Sequence, residues 1–243
     1  MSKLDKLRYP MGNFEYGKTY TLNDTRKHIK TIARLPKELK KLLKKLPAQA
    51  LDTSYRPGGW TVRQVVHHLA DSHMNAYVRM KLAVTEMTPV IKPYEENLWA
   101  ETDDSKQGSV KLSLRLLNAL HRRWVMFLEG LSEDDLERGY FHPERQSVIL
   151  LPEAIALYAW HCKHHLAHIA LVAGGKSESD TEPAAAAKRR GRPKTGAATK
   201  VAVQPKLTRT EILAKAREAR AAKLAPAAKA GKAAPAKKAA ASE

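Results

Sequence analysis

Four of the ten histidines in this 243-residue chain fall within eight positions, at His161, His164, His165 and His168. The apolar residues around them recur with the spacing of an α-helix. Side chains four positions apart on a helix lie on one face, with Cβ atoms about 5–6 Å apart. Two pairs, His161 with His165 and His164 with His168, could therefore each bind one cation, because neutral imidazole is the usual protein ligand of zinc and related metals.

A second group of histidines lies far upstream, at His67, His68 and His73. Metal sites in helical bundles are commonly built from side chains on facing helices. We therefore infer one metal ion between two helices, held by a downstream histidine pair together with either His67 or His68. Three protein ligands with an open fourth position describe a catalytic zinc site, whereas four ligands indicate a structural one.

The spacing leaves both downstream pairs open. His161 and His165 lie toward the apolar stripe of their helix, which favours them slightly. His164 and His168 share their strip with large apolar side chains such as Trp160, so they could also be covered.

Four segments carry the apolar spacing of amphipathic helices, and they predict an all-α fold, a four-helix bundle. The predicted helices cover about residues 24–46, 61–86, 110–128 and 152–173. Pro36 predicts a kink or a restart in the first of them, and Thr61 with Gln64 forms a capping box at the start of the second. We expect an arm over the bundle, a long connection and a short hairpin at residues 1–20, 86–108 and 139–151.

The positive charge of the chain is concentrated at its C-terminal end. Of the formal net charge of +18, +13 lies from Pro183 onward, where sixteen Lys or Arg face three acids. Aromatic residues are absent there, and such a segment buries too little apolar surface to offset its ordering entropy. We therefore expect residues 1–175 to form the folded metal-binding domain and residues 176–243 a disordered basic tail.

The cysteine content, the N-terminal residues and the lengths of the apolar runs favour a cytoplasmic location. Cys162 is the single cysteine, so an intrachain disulfide is excluded and a reducing compartment fits. The first residues lack the apolar segment of a signal peptide. No uncharged apolar run reaches the roughly 18 residues that a membrane span needs, so we expect no membrane partner.

Several segments together resemble the DinB/YfiT-like family of metal-dependent hydrolases, over about residues 8–172. The segments are Gly58–Asn75, Lys92–Tyr94, Gly139–Pro143 and Trp160–Ile169. The resemblance implies a four-helix bundle, often a homodimer, with a divalent metal held by three histidines. On this chain those ligands match His68, His161 and His165. Zinc is the metal we expect, with Ni²⁺ or another first-row metal as the alternative.

Three further residues could belong to the same pocket. His73 and His142 could line it, although a hydrogen-bonded core or loop role is the simpler interpretation. Asp71 could orient a ligand histidine, or it could be solvated. No residue pattern identifies the general base, so the catalytic residues stay unknown.

The resemblance also implies two reaction types. Members of the wider superfamily act as transferases or isomerases that use low-molecular-weight thiols such as bacillithiol, whereas the YfiT branch is described as a hydrolase without an established substrate. A metal can acidify a bound water or a bound thiol, so both reactions on a small-molecule substrate stay open. The alternative is a DNA-associated binding protein whose metal bundle is structural or serves dimerisation.

The tail is not part of the family pattern, but it contains a run that resembles an AT-hook. The run consists of Lys188, Arg189, Arg190, Gly191, Arg192, Pro193 and Lys194. Arginines around a glycine can enter the narrow minor groove of A/T-rich DNA, and flanking cations would contact phosphates. This predicts binding to A/T-rich DNA and association with the nucleoid; the simpler interpretation is a solubilising extension.

Overall fold

The computed structural model of the protein describes residues 2–174 and, beyond them, Glu211, Ala214 and Glu218, which are helical. Residues 2–174 form α-helices, a 3₁₀-helix at Ala48–Asp52 and two β-strands. In chain order the helices and strands are α1 (Lys3–Arg8), α2 (Leu22–Leu43), α3 (Val62–Thr85), α4 (Glu96–Ala100), α5 (Asp103–Gln107), α6 (Val110–Glu129), α7 (Glu133–Leu136), β1 (Gly139–His142), β2 (Ser147–Leu150) and α8 (Leu151–Ala173).

The long helices α2, α3, α6 and α8 form a bundle around one apolar core, which confirms the predicted four-helix bundle. Helix α2 packs against α6 and α8, and α3 packs against the same two helices. The consecutive long helices α2 and α3 therefore lie diagonally across the bundle, as do α6 and α8. This order places α3 beside α8, and these are the two helices that carry the histidine groups.

Helix α2 passes through Pro36 without the restart that was one of the two predicted outcomes. A proline inside a helix removes one backbone hydrogen bond. The apolar inner face of α2, which includes Ile32, Leu35 and Leu39, is completely buried on both sides of the proline. Burial of this continuous face holds the helix together, since tertiary packing supplies most helical stability.

Helices α1, α2, α3 and α7 each begin at a capping box. The predicted capping box of α3 is present, because Thr61 and Gln64 exchange hydrogen bonds between side chain and backbone at 2.9 and 3.2 Å. Helices α1 and α7 begin with similar boxes, Ser2 with Asp5 and Ser132 with Asp135. These two helices, like α4 and α5 in the predicted long connection, are too short to show helical periodicity, so the sequence pattern did not predict them.

The predicted hairpin and N-terminal arm are both present. Strands β1 and β2 pair antiparallel, with Gly139 opposite Leu150, and lead directly into α8. The arm lies over the bundle: α1 contacts α8, and the backbone N–H of Gly17 donates to the buried carboxylate of Glu153 on α8.

The AT-hook-like run at 188–194 lies outside the described residues. So does the tail predicted to be disordered, at 176–243, except for the helical residues Glu211, Ala214 and Glu218. Within the part of the chain that the structure describes, every helix is too short or too polar to cross a membrane.

Candidate metal centre

Three imidazoles converge where α3 and α8 face each other. His68 lies in the second turn of α3, and His161 and His165 lie one turn apart on α8. The Nε2 atom of His161 is 3.2 Å from that of His68 and 3.2 Å from that of His165. Each of the three residues offers one ring nitrogen, and these three nitrogens all lie within 4.8 Å of one another. The structure therefore brings together the three residues that the resemblance implies as metal ligands.

These three histidines are neutral because their surroundings disfavour the charged form; His68 and His165 are buried, and His161 is half-buried. Burial lowers the pKa of His68 to about 3. Burial, with weaker contributions from neighbouring histidines, also holds the pKa values of His161 and His165 well below the ordinary range. A neutral imidazole carries one proton, so one ring nitrogen donates a hydrogen bond and the other keeps a lone pair.

The other nitrogen of His161 ends a chain of hydrogen bonds that we call the inner relay (Ile32 C=O, His121 and His73). Nδ1 of His121 is 2.8 Å from the carbonyl oxygen of Ile32. Nε2 of His121 is 2.8 Å from Nδ1 of His73, and Nε2 of His73 is 3.1 Å from Nδ1 of His161. A carbonyl oxygen can only accept, so His121 must donate to it through Nδ1.

The direction of every later hydrogen bond follows from that first one. Burial keeps His121 and His73 neutral, with the pKa of His121 lowered to about 4. His121 therefore accepts at Nε2 from His73, and His73 accepts at its own Nε2 from His161. The proton of His161 is thus on Nδ1, and its Nε2 lone pair points at His68 and His165.

A shorter chain, the outer relay (Arg8 C=O and His168), has the same effect on His165. Nε2 of His168 donates to the carbonyl oxygen of Arg8 at 3.1 Å, which leaves a lone pair on its Nδ1. Nδ1 of His165 lies 3.4 Å from that atom and donates to it. His165 therefore also presents an Nε2 lone pair to the centre.

The donor set fits a metal cation. The Nε2 atoms of His161 and His165 are 3.2 Å apart and both direct lone pairs at the centre, an arrangement that a cation between them would stabilise. Nitrogen ligands lie about 2.0–2.1 Å from zinc, so two of them on a tetrahedral ion are about 3.3 Å apart. The hydrogen bonds from Nδ1 of His161 and of His165 to outer histidines are the usual arrangement around ligating histidines.

The other candidate histidines have different partners. His67 points away from the centre, with Nδ1 2.8 Å from Ser113 Oγ and Nε2 3.1 Å from the Gly108 carbonyl oxygen. His164 stacks on Trp160, with ring centroids 4.4 Å apart. The nitrogens of His164, His165 and His168 also lie within 4.8 Å of one another. However, both nitrogens of His168 are used in the outer relay, so this second group is not an independent metal site.

A cavity of about 530 Å³ opens above the centre, and His68, His161 and His165 lie in its wall. His142 also lines this cavity, and burial lowers its pKa to about 4. His73 and Asp71, which the sequence offered only as possible pocket residues, do not line this cavity. His73 is completely buried behind His161. Asp71 is on a different side of α3, where burial raises the pKa of its carboxyl to about 6.

Sequence reasoning missed His121, which is the link between α6 and the centre. The signal was available as a polar residue within the buried stripe of α6, between Leu117 and Trp124. A histidine in such a stripe needs a hydrogen-bond partner for each ring nitrogen. The pattern gives no indication which partner it meets.

A family model described as "DinB superfamily" matches residues 31–169 of the chain. YfiT of Bacillus subtilis, provisionally named a metal-dependent hydrolase, is 46% identical over 163 residues, which cover 67% of this chain and 92% of that protein. A protein of Bacillus mycoides with the same provisional description is 54% identical, over 67% of this chain and 93% of its own length.

A solved structure of Bacillus subtilis YfiT is similar as well. It matches with a TM-score of 0.68 and 44% identity, and the match covers 70% of this chain and 98% of that one. Its authors describe a probable metal-dependent hydrolase with an unusual four-helix bundle topology.

Proposed function

The chain belongs to the DinB superfamily, and from this premise we propose that it is a metal-dependent hydrolase whose divalent cation is held by His68, His161 and His165. The observation that carries the proposal is the convergence of their nitrogens at 3.2 Å in the wall of a cavity. We propose zinc as the metal, because three neutral imidazoles with a free position suit it; nickel or another first-row ion is the alternative.

The cation would supply Lewis acidity, polarising a carbonyl group or acidifying water or a thiol. The protein supplies position and shape. Trp60 covers the centre from the side of α3, with its ring centroid 4.7 Å from that of His68. Tyr55 stacks on His168 at 3.9 Å. Trp60 therefore packs against a proposed ligand ring, and Tyr55 packs against the ring that supports His165.

The charge of the cavity wall favours a substrate with an anionic group. Two glutamates, Glu96 and Glu144, face four arginines, and these are Arg8, Arg56, Arg79 and Arg145. Guanidinium groups pair with carboxylate or phosphate in a planar, two-point geometry. A small carboxylate- or phosphate-bearing ester or amide is therefore the substrate class we propose.

Thiol transfer is the second candidate reaction, because an anionic low-molecular-weight thiol of the bacillithiol type would suit the same wall. In that reaction the thiol sulfur displaces a leaving group from an electrophilic carbon, and the thiol proton leaves with the displaced group. The two reactions are separated by incubating zinc-loaded protein with anionic and neutral esters and amides, with and without thiol. Product formation without thiol supports hydrolysis, and strict dependence on thiol supports transfer.

Metal analysis tests the centre itself. Elemental analysis of purified His165→Ala is expected to show loss of bound metal, because two ligands remain. His164→Ala is the matched control: it removes the neighbouring cavity histidine without removing a ligand, and it should keep its metal. Unchanged metal content in His165→Ala would overturn the proposed centre.

We propose DNA contact by the tail as a separate function, on the basis of the AT-hook-like run at residues 188–194. If it binds, the full chain should shift an A/T-rich duplex that a chain ending at Gly175 does not shift, and salt should weaken the shift. Equal affinity of both proteins would reject this proposal. Retained DNA binding with no activity in the ester, amide and thiol assays would favour the alternative, a DNA-associated protein with a structural or dimerising bundle.

A further inference from the structure

We propose that Pro36, His121 and His73 are positioning residues that fix the tautomer of the metal ligand His161 before the metal binds. The inference rests on the proposed metal centre for its function. The geometry of the inner relay, however, belongs to the metal-free protein and can be tested there.

The relay begins with a proline. In an α-helix the carbonyl of residue i accepts from the N–H of residue i+4. For Ile32 that donor position is Pro36, which has no N–H. The Ile32 carbonyl therefore lacks its regular helical donor, at a position where the Ile32 side chain is completely buried. His121 Nδ1 supplies the hydrogen bond at 2.8 Å from across the α2–α6 interface.

Pro36 thus sets the direction of every hydrogen bond in the inner relay. An acceptor that cannot donate stands at its start, so each histidine holds its proton on Nδ1 and accepts at Nε2. A free histidine can hold its proton on either nitrogen. In this protein the choice for His161 is made 129 positions upstream in sequence, at Ile32. His161 would therefore present an Nε2 lone pair to a zinc ion without first moving a proton between its ring nitrogens.

The burial of the relay makes this arrangement durable. His73 is completely buried, and His121 is 2% exposed, so water cannot replace either hydrogen bond. The ring of Trp124 packs edge-on against both, with centroids 5.6 Å from each histidine ring. Loss of one link therefore leaves the next histidine free to change tautomer, rather than being compensated by solvent.

The first test is His121→Phe, which keeps a planar ring and removes both nitrogens. We expect zinc affinity, measured by competition with a chromophoric chelator, to fall about 10–100-fold, the usual effect of losing an outer partner of a ligand histidine. The matched control is His67→Phe, which removes a buried histidine with two hydrogen bonds outside the relay. It should lose thermal stability to a similar extent and keep its zinc affinity within about twofold.

A spectroscopic readout separates positioning from general damage. Nitrogen-15 NMR of the zinc-free protein should show His161 protonated on Nδ1 in the unmodified chain and in His67→Phe. In His121→Phe the same resonances should show a mixture of tautomers. If zinc does not bind the unmodified chain but the Nδ1 pattern is present, the proposed function fails and the relay stands.

Pro36→Ala tests the origin of the relay without removing a histidine. The new N–H at position 36 competes with His121 for the Ile32 carbonyl, and alanine is the better helix former. We therefore expect the melting temperature to stay level or rise while zinc affinity falls severalfold. A purely structural role for Pro36 predicts that both change together. Pro47→Ala, at an exposed proline outside the long helices, is the control.

Two results would overturn the inference. One is a Pro36→Ala protein with unchanged zinc affinity and an unchanged His161 tautomer, which would show that Pro36 does not fix that tautomer. The other is a folded His121→Phe protein that binds zinc as the unmodified chain does. If His121→Phe fails to fold, Pro36→Ala still decides the matter.

Discussion

The two metal-ligand histidines of α8 are supported from different regions of the molecule. His161 is held from inside the bundle by three hydrogen bonds of 2.8, 2.8 and 3.1 Å that cross α3, α6 and α2. His165 is held from the N-terminal arm by hydrogen bonds of 3.1 and 3.4 Å. The acceptor of the inner relay is the carbonyl of Ile32, inside the 22-residue helix α2. The outer relay ends on the last residue of α1, a six-residue helix with no buried residue.

The difference indicates how much each support can contribute. In both relays the final acceptor is a backbone carbonyl without a regular helical donor, in one case because of a proline and in the other because the helix ends. A helix end on the surface opens more readily than the interior of a packed bundle. We therefore expect the ligand geometry of His161 to depend strongly on its relay, and that of His165 to depend weakly.

Removal of the ligands themselves sets the upper limit. His161→Ala and His165→Ala should each lose bound zinc at micromolar concentrations, a larger effect than the about 10–100-fold expected for any relay residue. Elemental analysis after gel filtration measures the loss. If one of the two proteins keeps zinc at one equivalent, the equal status of the two ligands is wrong.

The next effect compares the relays directly. His121→Phe should weaken zinc binding more than His168→Phe, because the phenyl ring at position 168 keeps the stacking on Tyr55, and the hydrogen bonds lost there, at 3.4 Å to His165 and 3.1 Å to the Arg8 carbonyl, are longer than the 2.8 Å bonds of His121. Chelator competition on both proteins gives the ratio. Equal or reversed effects would show that the arm supports the centre as firmly as the bundle does.

A smaller effect is expected from the arm alone. Deleting residues 1–8 removes the Arg8 carbonyl and lets water accept from His168, so zinc affinity should fall by a few fold at most. Because both changes act through one link, the deletion should add little to His168→Phe. Additive losses in the double variant would mean that the arm acts on the centre by another route.

The smallest effect concerns Asp71, which touches neither relay. Burial raises the pKa of its carboxyl to about 6, so folding favours the protonated form. The wild type therefore loses stability relative to Asp71→Asn as pH rises from about 4 to about 6, and the two converge below pH 4. Denaturant unfolding at pH 4 and pH 7.5 should show Asp71→Asn more stable only at the higher pH, with zinc affinity at pH 7.5 unchanged. Weaker zinc binding by Asp71→Asn would indicate that Asp71 supports His68, the proposed ligand on α3.

Much of the fold follows from local patterns in the sequence. Apolar spacing and capping residues such as Thr61 and Gln64 determine where the long helices lie, because these signals act within one or two turns. The spacing of His161 and His165 also determines that they share a helix face. The ligand set as a whole came from the family resemblance, since spacing alone favoured His161 and His165 only slightly over His164 and His168.

Other features were decided only by the tertiary structure. Adjacent residues on a helix point about 100° apart, so the packing of α3 against α8 selects His68 for the centre and turns His67 toward Ser113. Pro36 suggests an interruption when read locally, but its carbonyl partner Ile32 meets His121 only because α2 lies beside α6. The direction of each hydrogen bond in the inner relay is set by a contact between residues far apart in sequence. Such contacts exist only once the helices have packed.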